Sequence, residues 1–154
     1  MSNAPRTATK RRPPPLPEEL AFLELQRTAD LLSRGVAQLL KAEELSANQY
    51  NVLRILRGAP EGLTCGEIAS RMITRDPDIT RLLDRLEKRR LVSRCRENPD
   101  RRMVMTRIAP AGAKLLARMD APVREAHRRQ LGHLGTRRLA TLTRLLQSAR
   151  SQIA

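Results

Sequence analysis

Aromatic side chains are almost absent from this sequence of 154 residues, which has one phenylalanine, one tyrosine and no tryptophan. A hydrophobic core must therefore be built from aliphatic side chains, and leucine-rich segments lose little side-chain entropy in packed helices. The composition thus favours a mainly helical protein, long enough for one domain. The scarcity of rings also argues against single-stranded nucleic acid as a ligand, because proteins that bind single strands usually stack the bases on aromatic side chains.

Cysteine, long apolar runs and catalytic motifs are also scarce. Cys65 and Cys95 are the two cysteines and do not make a disulfide framework. No apolar run has the length of a membrane span or the character of a signal peptide, so we expect a cytoplasmic protein that does not bind a membrane. No phosphate-binding glycine loop or nucleophile motif is present, and His127 and His133 are poorly spaced to share a metal ion on one helix. The sequence predicts a protein that is not an enzyme and has no cofactor and no metal site.

Positive charge is the strongest bulk feature, with a formal net charge of +14. Residues 1–16 carry four basic and no acidic side chains, whereas residues 17–45 carry three basic and six acidic ones. Residues 46–108 carry fourteen basic against eight acidic, and residues 109–154 carry nine against two. Arginine predominates, and its planar fork suits phosphates and guanine edges. Such a chain usually binds a polyanion, although a soluble protein with a charged surface would have a similar composition.

The two ends of the sequence predict an extended arm and long helices. Residues 1–16 are basic and proline-rich, which indicates a disordered or polyproline-like arm that is either a solvated tail or a contact to DNA phosphates. Helical patterns follow over residues 18–44, over residues 111–131 and near the C-terminus. We expect residues 17–45 and 109–154 to form the interface of a dimer, with an intramolecular helical bundle as the alternative. The apolar seams that support this are Leu25, Ala29, Leu32, Val36 and Leu39, and Leu139, Leu142, Leu146, Ala149 and Ile153.

The central region, residues 46–108, begins with two short helices. Capping boxes are predicted at Ser46–Gln49 and at Thr64–Glu67, where a hydroxyl and a longer polar side chain three residues later can each bond the other residue's backbone N–H. The helices that follow are predicted to end near Arg57 and Met72. A third helix is expected after a short link, and two helices joined by a turn of three or four residues form a helix-turn-helix.

The third helix is predicted to begin at Asp76 as its N-cap, with Pro77 at the first helical position, and to run to about Arg89. At 100° per residue its apolar side chains fall in one sector, which we expect to face the domain, while polar side chains including Asp84 face outward. An outward polar face suits the major groove, although an ordinary solvated face would look the same. The residues predicted to contact DNA in this region are Arg75, Pro77, Asp78, Thr80, Arg81, Arg85 and Lys88.

Thr80 and Arg81 are the candidates for contact with base edges because they lie near the N-terminal end of this helix. Asp78 is a candidate for accepting from a cytosine amino group, or else for interacting with the helix dipole. After the helix, the runs 91–96 and 103–108 are β-leaning and the segment between them is rich in turn residues, which predicts a hairpin, or wing. A basic hairpin tip can enter the minor groove, with incidental surface charge as the alternative.

Between residues 63 and 112 the sequence carries short motifs in a fixed order. They are Leu63-Thr64, Glu67-Ile68-Ala69, Ile79-Thr80-Arg81-Leu82-Leu83-Asp84-Arg85-Leu86-Glu87, Leu91-Val92, Asp100-Arg101-Arg102 and Gly112. With these motifs the sequence resembles the multiple-antibiotic-resistance-regulator (MarR) family. It departs from the family pattern at Arg90, where glycine is common, and at Ile108-Ala109, where Leu-Thr is usual.

The resemblance implies a mainly α fold with a small β-wing, in which one domain over residues 17–154 forms a homodimer through its N- and C-terminal helices. It implies a sequence-specific regulator of transcription that binds a pseudo-palindromic operator in double-stranded DNA, usually a repressor released by a small, often phenolic ligand or by thiol oxidation. In the wing, Arg102 would be the minor-groove residue, Asp100 would brace the tip and Arg101 would reach a phosphate.

The alternative function is a basic protein that binds nucleic acid without sequence preference. A redox role of Cys65, in the first turn of a predicted helix, stays open beside that of an inert small side chain. Cys95 is expected to pack on a strand.

Overall fold

The computed structural model of the chain describes residues 14–96 and 103–153. It is mainly helical and has one small antiparallel sheet, so the predicted fold class is confirmed. The elements are α1 (Pro17–Ala42), α2 (Ala47–Arg57), α3 (Cys65–Arg71), α4 (Ile79–Lys88), β1 (Val92–Arg96), β2 (Val104–Ile108), α5 (Pro110–Leu131), a single 3-10 turn (Gly132–Leu134) and α6 (Gly135–Ser151).

The chain divides into two compact units, and the division falls inside α1 between Leu31 and Leu32. In the first unit, residues 14–31 are exposed, and among them are the large apolar side chains of Leu20, Phe22 and Leu23. The second unit contains the buried core. None of the helices in the described ranges is both long enough and apolar enough to cross a bilayer.

Both predicted capping boxes are confirmed. The Oγ of Ser46 accepts the N–H of Gln49 at 3.1 Å, and the Oε1 of Gln49 accepts the N–H of Ser46 at 2.9 Å. Thr64 and Glu67 make the same exchange at 3.3 and 2.8 Å. Each box satisfies two backbone donors near the helix start, where intrahelical partners are missing, and therefore fixes where α2 and α3 begin.

The core of the second unit is aliphatic, as the composition predicted. Helices α2, α3, α4 and α5 each supply at least one side chain that is almost fully inaccessible to solvent, so the helices of the central region are anchored to a common interior. The most deeply buried of these are Val52, Leu53, Leu56, Ile68, Leu83, Leu86 and Leu116. Truncating one such leucine to alanine typically costs about 2–5 kcal/mol, so this packing fixes where α4 lies.

One ion pair joins α2 to α5 at the edge of this core. The guanidinium of Arg57 donates three hydrogen bonds to the carboxylate of Asp120, at 2.8–3.0 Å. These bonds are the main reason why the pKa of Asp120 lies below its ordinary value and the pKa of Arg57 above its own. Both side chains are 39% exposed, so the pair contributes little to stability.

We expect this pair to give a pH-dependent contribution to stability. Because the folded-state pKa of Asp120 is lowered, the contribution is present above the unfolded-state pKa, about 4, and is lost as the pH falls through the folded-state value. Thermal unfolding followed by circular dichroism should therefore show that the Tm of the wild type drops more steeply below pH 4 than the Tm of Asp120→Asn. If the Tm of both proteins fell in parallel as the pH was lowered, the pH dependence could not be assigned to the pair of Arg57 and Asp120.

The hairpin is joined to the segment before α3 by backbone hydrogen bonds at the middle of β2. Strands β1 and β2 pair antiparallel, from Val92 opposite Ile108 to Arg96 opposite Val104. Backbone hydrogen bonds of 3.0 and 2.8 Å also join Leu63, just before α3, to the buried Thr106 of β2. The predicted hairpin strands are confirmed.

Helix α4 ends in a conformation that favours glycine, although the residue there is Arg90, with a φ of 56°. The N–H of Leu91 bonds the carbonyl of Leu86 at 3.0 Å, which is the closing bond of a Schellman motif. The departure from the family pattern at this position therefore leaves the usual helix end in place.

Replacing Arg90 with glycine should raise the free energy of unfolding by about 1 kcal/mol, because an L side chain in the left-handed region is strained and glycine is not. Chemical denaturation of the wild type, Arg90→Gly and Arg90→Ala measures this. Arg90→Ala removes the same charge but keeps a Cβ, so it should give no such gain. An equal gain in both variants would assign the effect to the arginine side chain instead.

Candidate nucleic-acid interface

The start of α4 differs from the prediction. Asp76 was expected to be the N-cap and Pro77 the first helical residue, but the N-cap is Asp78, whose Oδ1 accepts the N–H of Arg81 at 3.3 Å. Asp76 does not cap the helix because its two carboxylate oxygens are already used, one by the N–H of Asp78 and the other by the amide of Asn48. Those two bonds, in that order, hold the pKa of Asp76 below its ordinary value. Pro77 lies in the turn before the helix.

The two faces of α4 separate as predicted. Leu82, Leu83 and Leu86 are buried, and Ile79 is half-buried against the same core. The structure places all seven residues predicted to contact DNA in and before this helix at least partly on the surface. These residues are Arg75, Pro77, Asp78, Thr80, Arg81, Arg85 and Lys88.

Arg81 lies on the exposed face of α4, in its first turn. Its Nε is 3.2 Å from Oδ2 of Asp78, and its side chain is 76% exposed. Exposed ion pairs of this kind are worth about 0–1 kcal/mol, so Asp78 orients the guanidinium without fixing it. Arg81 can therefore leave this partner for a stronger acceptor at small cost.

One flank of α4 is tied to the hairpin. Arg94 of β1 donates to the carboxylate of Glu87 at 2.6 and 2.9 Å and also binds Asp84. The hydrogen bond with Glu87 is the main reason why the pKa of Arg94 is raised. Asp84 lies on the outer side of α4, as predicted, and 42% of its side chain is exposed, but the ion pair with Arg94 ties it to the strand. No role was predicted for Arg94, although the acidic residues Asp84 and Glu87, spaced i, i+3 along one side of the helix, are a signal for a basic partner nearby.

The hairpin tip, residues 97–102, lies outside the described residues. The predictions for Asp100, Arg101 and Arg102 fall there. What the structure gives is the position of the two strands that lead into the tip and out of it, β1 ending at Arg96 and β2 beginning at Val104.

The two cysteines have different surroundings. Cys65 is the first residue of α3, as expected, and is partly buried against the core. The packing prediction for Cys95 is wrong: it is exposed, because it lies on the face of β1 opposite to the buried Val92, and the Nη1 of Arg107 donates to its Sγ at 3.0 Å. Within residues 14–96 and 103–153, no group of three or more His, Cys, Asp or Glu side chains could hold a metal ion.

A cavity of about 400 Å³ lies beside the turn that precedes α4, in the second unit. The end of α1 contributes aliphatic side chains to its wall, and α2 contributes amides, a guanidinium and a ring. The guanidinium carbon of Arg54 is 5.9 Å from the centre of the Tyr50 ring. The lining residues are Leu32, Ser33, Val36, Ala37, Leu40, Ala47, Asn48, Tyr50, Asn51, Arg54, Ile73, Thr74, His127 and Leu131.

Comparison with known proteins agrees with this architecture. A MarR transcription factor from Planctomyces limnophilus, of known crystal structure, is 44% identical, with a TM-score of 0.67 over 88% of this chain and 98% of that one. The HTH-type transcriptional regulator TtmR of Methylorubrum extorquens is 36% identical over 108 residues, which are 70% of this chain and 54% of TtmR. The chain thus spans about half the length of that relative. Two further relatives, repressors from Pseudomonas putida and Escherichia coli, are each 27% identical.

A structure with bound DNA shares the fold. A point mutant of MarR from Escherichia coli, complexed with operator DNA, has a TM-score of 0.76 and 24% identity over 88% of this chain and 99% of that one. Residues 43–103, which include α2, α3, α4 and β1, match the sequence model of the MarR family. Together with the 44% identity to the MarR transcription factor from Planctomyces limnophilus, 98% of which is covered, this match shows that the chain belongs to the MarR family of winged helix-turn-helix, DNA-binding transcription regulators.

Proposed function

We propose that this chain is a sequence-specific repressor that binds a pseudo-palindromic operator in double-stranded DNA as a homodimer and is released by a small molecule. The observation that carries the proposal is the structure of α4. One face of this helix is buried in the core, and the other presents Thr80, Arg81, Arg85 and Lys88 to solvent.

Such a helix fits the major groove of B-DNA. The groove admits an α-helix, and the N-terminal residues of a recognition helix contact base edges. Arg81 is the residue we assign to a guanine, because the planar guanidinium can donate to O6 and N7 together. Thr80 and Asp78 are assigned to neighbouring bases, and Arg85 and Lys88, further along the exposed side, to the backbone.

The groups before the helix and in the hairpin complete the proposed interface. Arg75 and Pro77 lie at the surface in the turn and are assigned to the backbone beside the groove. Arg102 is proposed to enter the minor groove and Arg101 to reach a phosphate, with Asp100 bracing the tip. Two sets of contacts support a joint action of helix and hairpin: the bonds between Leu63 and Thr106 and the ion pairs of Arg94.

The helices at the two ends of the chain support the proposed homodimer. Helix α6 has no buried residue: the seam leucines Leu139, Leu142 and Leu146 are half-buried, and Leu145 beside the seam is 60% exposed. In the first unit, Leu20, Phe22, Leu23 and Leu25 are also exposed. Exposed apolar surface of this extent marks an interaction site, and a second copy of the chain would cover it. We propose that residues 17–45 and 109–154 make this interface and that residues 46–108 read the DNA, within one domain over 17–154.

The cavity is the proposed site of the effector. Its volume lies within the range of about 300–1,000 Å³ that small ligands occupy. Leu32 and Val36 would contact an aromatic ring, and Arg54 would bind a carboxylate or phenolate. Because Ile73 and Thr74 of the turn before α4 also line the cavity, a bound ligand can change the position of the helix.

Salicylate and related phenolic acids should raise the Tm of the protein and lower its affinity for the operator together. An unchanged Tm and an unchanged affinity with every compound tested would refute this site.

Fluorescence anisotropy tests the main proposal, with duplexes from the DNA upstream of the protein's own gene and scrambled duplexes of the same composition. We expect affinity for one natural segment to exceed that for its scrambled form by about 10³-fold or more near 150 mM salt. Equal affinities would establish the alternative, a basic protein without sequence preference. Sedimentation of the same samples should give twice the 17.4 kDa mass of the chain.

A further inference from the structure

The turn between α3 and α4 has little apolar anchorage of its own. Met72, just before it, and Ile79, just after it, pack against the core, but the side chain of Ile73 is 84% exposed, and Thr74 and Arg75 are exposed as well. A segment with few buried contacts is easily displaced unless polar bonds hold it. The position of the start of α4 therefore depends on the hydrogen bonds that the turn makes.

Two asparagines one turn apart on α2 make such bonds. The Oδ1 of Asn51 accepts the backbone N–H of Ile73 at 2.9 Å, at the beginning of the turn. The Nδ2 of Asn48 donates to Oδ2 of Asp76 at 2.8 Å, near its end. Helix α2 can hold both bonds in place because it is anchored in the core, where its side chains Val52, Leu53 and Leu56 are completely buried.

The bond to Asp76 reaches the reading end of α4 through one further step. The other oxygen of Asp76 accepts the N–H of Asp78 at 3.0 Å, and Asp78 is the N-cap of α4 and the partner of Arg81. Hydrogen bonds to a carboxylate are stronger than neutral ones, so this relay is well suited to fix a backbone position. These hydrogen bonds connect α2 to Arg81, the residue assigned to a guanine.

We infer that Asn48 and Asn51 form a two-point brace that positions the turn and, through Asp76, the DNA-reading end of α4. The brace rests on the proposed function in one respect, namely that α4 reads DNA. Asn48, Asn51 and Asp76 are positioning residues, since the operator is contacted by the residues that follow them.

An exchange of donor and acceptor tests the brace. Asn48→Asp places two carboxylates against each other, and Asp76→Asn leaves one acceptor oxygen for two donors. In the double variant, the new carboxylate at position 48 would accept from the new amide at position 76, whose oxygen still accepts the N–H of Asp78. We expect each single variant to lose about tenfold or more in operator affinity, since a lost hydrogen bond costs several-fold in each of two subunits. The double variant, which has the same net charge as the wild type, should recover to within a few-fold.

Two controls separate positioning from folding, and the double variant, which keeps the net charge of the wild type, controls for charge. At the other point of the brace, Asn51→Asp keeps an acceptor oxygen for Ile73 and should bind more tightly than Asn51→Leu, which has none. The affinity of each variant is measured for both operator and scrambled DNA. A loss of positioning lowers the ratio of the two affinities. Partial unfolding lowers the fraction of active protein and therefore leaves this ratio unchanged.

Amide hydrogen exchange of the free protein makes the test independent of DNA binding. Exchange at residues 73–82 should be faster in Asn48→Asp and Asp76→Asn and should return to the wild-type rate in the double variant. Unchanged exchange in the single variants would overturn the brace, and so would faster exchange with unchanged operator preference. Faster exchange in a protein whose wild type shows no operator preference would refute the proposed function while leaving the structural brace in place.

Discussion

Replacing Arg81 with alanine is expected to weaken operator binding by about 1–3 kcal/mol for each half-site and to relax the base preference at one position of that half-site. The reason is that the guanidinium of Arg81 is 76% exposed near the N-terminal end of α4, and a planar guanidinium can donate to two acceptors of one guanine. Because the proposed homodimer would use two copies of Arg81, the two losses would act on the same complex. Binding to the operator and to single-base variants of it, measured by anisotropy at fixed salt, gives both quantities.

The chain offers a closely matched control for this variant. Arg128 on α5 is also 76% exposed and also pairs with an acidic residue three positions earlier, Glu125, at 2.8 Å. Arg128→Ala therefore removes the same charge and the same kind of exposed ion pair, away from α4. Because Arg128 falls within the range 109–154 proposed for the dimer interface, sedimentation must first show that Arg128→Ala has the same mass in solution as the wild type. With that established, we expect it to bind the operator nearly as the wild type does. If Arg81→Ala and Arg128→Ala lose affinity equally, and equally for every base variant, net charge and not base contact explains binding.

Replacing Gly112 with alanine is expected to lower the free energy of unfolding by about 3 kcal/mol. A Cβ at this position would overlap the carbonyl oxygen of Leu91 and lie 3.1 Å from Cγ1 of Ile108. The carbonyl is not free to move away, because it accepts the N–H of Ala109 at 3.0 Å. Since Leu91 connects α4 to β1, the strain would fall on the connection between α4 and the hairpin.

Gly66→Ala is the control, because Gly66 is also helical and a Cβ there would meet no heavy atom within 4 Å. Removing a glycine from an exposed helical position should stabilise the protein by about 0.5–1 kcal/mol. In urea denaturation followed by circular dichroism, the free energy of unfolding should therefore fall for Gly112→Ala and rise for Gly66→Ala, relative to the wild type. A stable Gly112→Ala protein would show that α5 does not approach Leu91 as closely as the structure has it.

Features of the fold that depend on neighbouring residues could be predicted from the sequence. The capping boxes at Ser46 and Thr64 need only a partner three residues away, and the apolar sector of α4 needs only helical periodicity. The hairpin follows from turn residues between two β-leaning runs. Those signals fix the order of elements, and this order with the motifs between residues 63 and 112 indicated the family.

What could not be predicted depends on partners that are distant in the sequence. Asp76 and Asp78 are both good N-cap residues, and the choice between them is made by Asn48, which lies 28 residues before Asp76. Asp84 satisfies the outward pattern of the helix, but Arg94 ten residues later holds it against the strand. Periodicity describes one element at a time, so it does not contain the contacts that one element makes with the next.

Methylation protection by dimethyl sulfate on the bound operator tests most directly whether α4 occupies the major groove. Guanine N7 lies in the major groove and adenine N3 in the minor groove, so the reagent reports on each groove separately. We predict protection of guanine N7 in two patches separated by about one helical turn, or by a multiple of it, with one guanine in each patch regaining reactivity in Arg81→Ala. Reactive N7 atoms throughout the footprint of the wild type would contradict the account.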